Sequence, residues 1–189
     1  MKILKLIITI LIGIFSFVLT DTSSKKLTVE WINTDEAEAI AQVYKYQWLE
    51  DNTAILYDLR MPRSERTFLR LNPEQPNKIS PMVDLGKTME NLENILNEPD
   101  TIRTLDWPVS FDYSGQKALY LFKEDIFILQ LETSSFLQIT DTEQEEKSPR
   151  FSPDGSKIAF VRDNDLYIYN LNKNREKRIT QDGSETILN

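Results

Sequence analysis

Neither cysteine nor histidine occurs anywhere in the 189 residues. The first absence excludes a disulfide framework and thiol chemistry. The second excludes a Ser-His-Asp triad, a Cys-His dyad or an imidazole metal site built from this chain alone. Positive charge is the minority sign, with 22 Lys and Arg against 30 Asp and Glu and a formal net charge of −8. Residues 1–20 hold Lys2 and Lys5 and no acid, so the remainder is more acidic still. A surface of that sign disfavours nucleic acid and anionic lipid as partners and favours solubility.

What is present begins with a targeting pattern. Lys2 and Lys5 form a short basic region, and Leu6 to Leu19 is apolar except for Thr9, Gly13 and Ser16. This predicts a signal peptide over 1–20, too short to span a bilayer comfortably. No Ala-x-Ala cleavage site exists. Val18 with Thr20, or Thr22 with Ser24, would fill those positions, and an uncleaved anchor is the alternative.

The strongest pattern is a repeat. Residues 111–140 align without a gap on 151–180: Phe111 on Phe151, Gly115 on Gly155, Lys117 on Lys157, Asp125 on Asp165, Ile128 on Ile168, Leu131 on Leu171, and Ile139-Thr140 on Ile179-Thr180. A period of about 40 residues built from short strands is a β-propeller blade signature. In the second blade the expected strands are 109–111, 118–122, 125–131 and 136–140. In the third they are 150–151, 157–162, 165–171 and 176–180. The inner strands, Ile126 to Leu129 and Leu166 to Tyr169, are apolar on both faces, so both faces need covering.

Upstream the repeat is irregular. Trp48, Asp51 and Tyr57 keep the mutual spacing of Phe151, Asp154 and Phe160 and open a first blade, with strands at 54–59 and 66–71 and a turn at Asn72–Asn77. Leu85, Met89, Leu92, Ile95 and Leu96 recur at helix spacing, predicting a helix over 84–97 stopped by Pro99. Residues 27–32 read as a strand, and Asp35 as the cap of a helix over 36–42. The fold class is therefore mainly β: a partial, about three-bladed propeller of four-stranded antiparallel blades, with a signal helix and a helical insertion near 84–97. The domain division is signal peptide 1–20, N-terminal arm 21–45, irregular first blade 46–107, second blade 108–148 and third blade 149–189. Three blades are too few to close a ring, for which about four is the usual minimum.

Several short motifs resolve to structure. Ser152-Pro153-Asp154-Gly155 reads as a β-turn. Asp163-Asn164-Asp165 has calcium-like spacing but lacks the following Gly and distal Glu, and reads as a hairpin turn. Glu143, Glu145 and Glu146, beside Asp141, read as a solvated connection. Lys173 to Arg178 reads as a basic hairpin, and Trp31, Trp48 and Trp107 as packing residues near strand starts. No catalytic, cofactor-binding or metal-ligating residue is assigned.

The segment Ser148 to Tyr167, with Phe160-Val161-Arg162-Asp163-Asn164-Asp165 inside it, and the run Arg178 to Asn189 resemble the N-terminal propeller of dipeptidyl peptidase IV-like serine peptidases. The likeness extends over roughly 27–189. It implies an eight-bladed propeller capping an α/β-hydrolase domain that removes N-terminal dipeptides, usually after proline. It also implies a glutamate pair gripping the substrate amine, in an Asp-Trp-x-x-Glu-Glu-like stretch that would follow Asn189. Neither that pair nor the nucleophile elbow maps onto any residue here, and the family's propeller arginine is not carried over to Lys123. An apolar side of the arm (Leu27, Val29, Trp31, Ile40) would match a segment that packs on the hydrolase domain. The expectation is an exported, periplasmic or extracellular fragment, inactive alone and needing no cofactor. Its partners would be peptide substrates reached through the whole enzyme, the remaining blades and the hydrolase domain, with a homodimer open for the full-length form. Nucleic acid is not expected, and membrane contact only through the signal segment. Two rival readings are a TolB-like periplasmic propeller module that binds protein, and a truncated product with an open blade stack whose exposed terminal faces and strand edges make it poorly soluble or dependent on a partner.

Overall fold

The computed structural model describes residues 28–34, 37, 40, 43–97 and 104–184. The signal segment, Leu27, Pro99 and the run after Ser184 lie outside the described residues. Of the helix expected over 36–42, Ala37 and Ile40 are described, both helical. The chain divides into two compact units, Met1–Ala39 and Ile40–Asn189.

In the first unit the strand expected over 27–32 is instead one helical turn, α1 (Val29–Ile32). Local side-chain hydrogen bonds decide this against β propensity. Thr28 Oγ1 accepts from Trp31 N at 3.2 Å, and Asn33 Nδ2 donates to Val29 O at 2.7 Å. Val29 is exposed.

The second unit contains three four-stranded antiparallel sheets. Sheet 1 is β1 (Tyr44–Trp48), β2 (Ala54–Asp58), β3 (Phe68–Leu71) and β4 (Ser80–Pro81). A helix, α2 (Leu85–Leu96), follows. Sheet 2 is β5 (Ser110–Phe111), β6 (Lys117–Phe122), β7 (Asp125–Gln130) and β8 (Ser135–Gln138). Sheet 3 is β9 (Lys147–Phe151), β10 (Lys157–Arg162), β11 (Asp165–Asn170) and β12 (Arg175–Arg178). Each sheet follows chain order from one edge to the other, the arrangement expected of a blade.

Period-two alternation divides sheet 2 between two cores. Ala118, Tyr120, Phe127 and Leu129 join Ile55, Tyr57 and Phe68 of sheet 1. The intervening Leu119, Ile126 and Ile128 join Ile158 and Phe160 of sheet 3. This is the two-faced burial the apolar inner strands require. Sheet 3 is covered on one face only, and β11 beyond Asp165 is half-buried throughout.

The first blade differs from the others by one residue. Trp48 pairs with Ala54, whereas Phe151 pairs with Ile158. The first hairpin is therefore shorter, and a one-residue slip flips every side chain. Tyr57 thus faces sheet 2 and corresponds to Val161, not to Phe160 as the spacing predicts.

Helix α2 confirms the insertion and is capped at its end by Asn97, while Pro99, expected to stop it, lies outside the described residues. Asn97 adopts the left-handed conformation at φ 53°, and Asp84 caps the start by accepting from Lys87 N at 3.0 Å. The helix lies along the outer strand of sheet 2. Asn91 Oδ1 accepts from Phe136 N at 2.5 Å, and Ser134 Oγ accepts from Asp84 N at 2.8 Å. It covers an edge that would otherwise offer free backbone groups.

Candidate functional site

Each of the last two sheets is locked by the residues its repeat repeats. Asp125 and Asp165 open the third strands. Asp125 accepts from Thr142 N at 3.1 Å, and Asp165 accepts from Thr180 Oγ1 at 2.8 Å and Gly183 N at 3.0 Å. Thr140 and Thr180 in turn accept from Ile126 N and Leu166 N at 2.8 and 2.9 Å. The aspartates thus pin the chain leaving each blade back to its middle strand. Ser152–Gly155 is a turn, with Gly155 N donating to Ser152 O at 2.8 Å and Gly155 at φ 64°. Asp163 and Asn164 both have positive φ, as a two-residue primed hairpin turn demands.

The acidic run between sheets 2 and 3 departs from expectation. Glu143 and Glu145 are exposed, but Glu146 is 1% exposed. Its carboxylate accepts from Arg162 Nε at 2.7 Å, Thr142 Oγ1 at 2.9 Å and Thr140 Oγ1 at 3.0 Å. Arg162 closes a fork on Glu176, with both nitrogens at 2.9 Å. Its guanidinium lies 5.2 Å from the Phe160 ring centroid and 4.8 Å from that of Tyr167. Burial pushes the Glu146 carboxyl up from its ordinary value, and the donors from Arg162, Thr142 and Thr140 only partly offset it. Spacing within a loop carries no burial signal, so the sequence alone shows Glu146 only as one of several loop acids.

The repeat itself held the missed cue. Forty residues before Phe160, Arg162, Tyr167 and Glu176 stand Tyr120, Phe122, Phe127 and Phe136. Those four form an aromatic cluster with centroids 5.3–5.6 Å apart. An arginine and a glutamate replacing two aromatics of one cluster mark an ion pair, buried Arg162 with half-buried Glu176. The node joins the blades and, with every oxygen and nitrogen engaged among its own members, offers no free acid or base for chemistry.

The tryptophans separate. Trp107 packs edge-on against Tyr57, Phe68 and Phe111 at 5.9, 6.1 and 5.1 Å. Trp48 is not a packing residue: it is 53% exposed on the outer face of sheet 1. Trp31 sits in a helical turn, half-buried. The Lys173–Arg178 hairpin borders a hollow of about 620 Å³ on the uncovered face of sheet 3, floored by Ile168 and Ile179. Among the described residues no group of three or more acidic side chains could hold a metal ion, and no helix is long and apolar enough to cross a membrane. Lys157, Lys173, Arg175 and Lys177 line the sheet 3 hollow together with Asn170 and Glu176.

Residues 121–189 match the family model for the dipeptidyl peptidase IV (DPP IV) N-terminal region. The chain is 25% identical over 169 residues to a probable dipeptidyl peptidase 4 of Arthroderma benhamiae, covering 88% of the chain and 18% of that protein. The corresponding protein of Trichophyton verrucosum is likewise 25% identical over 169 residues, with 19% of its length covered. Porphyromonas gingivalis dipeptidyl peptidase 4 superposes with a TM-score of 0.55 at 15% identity, over 85% of the chain and 22% of that structure. The chain therefore spans about a fifth of the length of the proteins it matches. It carries a stretch like the N-terminal, propeller-forming part of dipeptidyl peptidase IV, as the Ser148–Tyr167 and Arg178–Asn189 segments indicate.

Proposed function

We propose that residues 40–184 serve a dipeptidyl peptidase IV-like exported serine exopeptidase by gating and orienting peptide N-termini, while cleavage is carried out elsewhere in that enzyme. The observation that carries this reading is the match of 121–189 to the dipeptidyl peptidase IV N-terminal region, on sheets stacked as propeller blades. Acyl transfer by a serine needs a base, normally an imidazole, and an oxyanion hole. A chain without histidine leaves that base to another part of the enzyme. Export is supported by the basic and apolar pattern of residues 1–20, with periplasm or extracellular space as the destination. The partners in this reading are peptide substrates, further blades against the open face of sheet 3, and a hydrolase domain.

The test is immunodepletion from the source organism with an antibody raised against residues 104–184. The captured protein should release a chromogenic amine from a Xaa-Pro anilide, and depletion should remove that activity. The purified 189-residue chain should release none. Captured protein that is inert on such anilides would overturn the reading.

A further inference from the structure

The seam between sheets 2 and 3 sets two carboxylates on one guanidinium. Arg162 donates from Nε to Glu146 and from both terminal nitrogens to Glu176. The Glu146 side chain is 0% exposed, that of Arg162 9% and that of Glu176 30%. With both acids ionised, the three groups sum to a single negative charge in a buried seam, where an uncompensated charge is costly. A single proton brings the sum to zero.

Hydrogen-bond geometry favours Glu146 as its place. Thr142 Oγ1 lies 2.9 Å from Glu146 Oε1 and 2.9 Å from Gln144 O. Both are acceptors while Glu146 is ionised, and a hydroxyl has only one proton to give. A proton on Glu146 completes the row: the carboxylic acid donates to Thr142 Oγ1, and Thr142 donates to Gln144 O. Thr140 Oγ1 still donates to Glu146 Oε2 at 3.0 Å while accepting from Ile126 N. Arg162 stays forked on Glu176, whose two oxygens it already occupies.

The surrounding charges add no cation to the node. Asp125 accepts from Thr142 N, and the Glu124 carbonyl accepts from Glu146 N. Lys147 is paired with Glu145 at 2.9 Å, and Arg178, over the Tyr167 ring, with Asp165. Lys123, Asp141 and Glu143 are exposed.

We propose that this node is a proton-operated fastening: Glu146 takes up one proton as pH falls, and sheet 3 is then held more firmly on sheet 2. Burial is the largest influence on the Glu146 carboxyl and raises it above its ordinary 4.5, with donors from Arg162, Thr142 and Thr140 offsetting part of the rise. Between 4.5 and that raised value the folded chain binds a proton that the unfolded chain lacks. The stabilisation is therefore complete below 4.5 and is lost as pH rises through the raised value, by up to about tenfold in the folding equilibrium constant per pH unit. This concerns the seam alone and does not rest on the peptidase reading.

Carbon-13 NMR of the 189-residue chain, labelled at the glutamate carboxyls, reads Glu146 directly. Its signal should titrate above 4.5. Glu176→Gln leaves the guanidinium to Glu146 alone, so Glu146 should then bind its proton roughly tenfold more weakly or less tightly still. Urea unfolding across the same pH range supplies a second readout. The amide of Glu146→Gln can donate to Thr142 as the acid does, so the cost of that variant relative to wild type should shrink as pH rises. If Glu146→Gln does not fold, the titrations of wild type and Glu176→Gln decide alone. A Glu146 carboxyl titrating at 4.5 or below, a midpoint unmoved by Glu176→Gln, or a Glu146→Gln cost that is constant with pH would overturn the proposal.

Discussion

Arg162 and Glu146 form an ion pair whose side chains are both buried. Removing one member leaves the other charge without its partner in a low-dielectric seam. Arg162→Ala is expected to cost about 3 kcal/mol or more in urea unfolding, whereas Glu146→Gln, which keeps shape and some acceptors, should cost less. Two glycines at equivalent turn positions of successive sheets give a sharper comparison. Gly115 and Gly155 both have positive φ, but a Cβ on Gly115 would come within 2.4 Å of Leu49, against 3.4 Å from Asp112 for Gly155. Gly155→Ala should cost about 1 kcal/mol for the left-handed backbone; Gly115→Ala should cost more, because buried Leu49 must move. Thermal melting of the two variants checks the order. Asp154, beside Gly155, is held at about 2 rather than 3.8 by hydrogen bonds from Ser152 and then Ser156. A depressed carboxyl stabilises the fold fully above pH 3.8 and loses that contribution as pH falls through about 2. Stability should therefore fall less steeply between those values in Asp154→Asn than in the wild type, measured by urea titration at each pH. At this scale the turn glycines were legible, since spacing and residue type together require a positive φ. Glu146 was not, since its burial depends on a partner sixteen residues away across two blades.

The elements show where pattern suffices. The strands of sheets 2 and 3 fall within a few residues of their expected positions because alternation and turn residues agree. The β6–β7 turn is the exception in chemistry: Lys123 and Glu124 both adopt positive φ, at 49° and 71°, without a glycine. Each such residue is disfavoured by about 1 kcal/mol, offset here by the six-rung ladder of β6 and β7. Glu124→Gly should accordingly raise stability by about 1 kcal/mol, and an unchanged or lower melting temperature would contradict this. In the first blade the pattern was readable but its register was not. Trp48, Asp51 and Tyr57 matched the later spacing, yet a hairpin one residue shorter turned Tyr57 to the other face. The two-residue β4 is too short to leave a sequence signal at all. The arm failed for a different reason: Thr28 and Asn33 satisfy the backbone locally and override the strand propensity of Val29 and Ile32.

At the scale of the molecule, burial among the described residues is greatest in the middle sheet. Sheet 2 is closed on both faces, while sheets 1 and 3 each keep one face open, so the described residues form blades of a propeller but not a ring. The repeat announced this architecture before any coordinate did, because a blade-length period fixes how many sheets the residues can build. If, as proposed, this stack is propeller-forming sequence of a much longer dipeptidyl peptidase IV-like enzyme, the intact mass of the native product recognised by an antibody against residues 104–184 will show it. The expected mass is several times 22.1 kDa, in keeping with relatives of which the chain covers 18–19%. A native product of 22.1 kDa or less would contradict it.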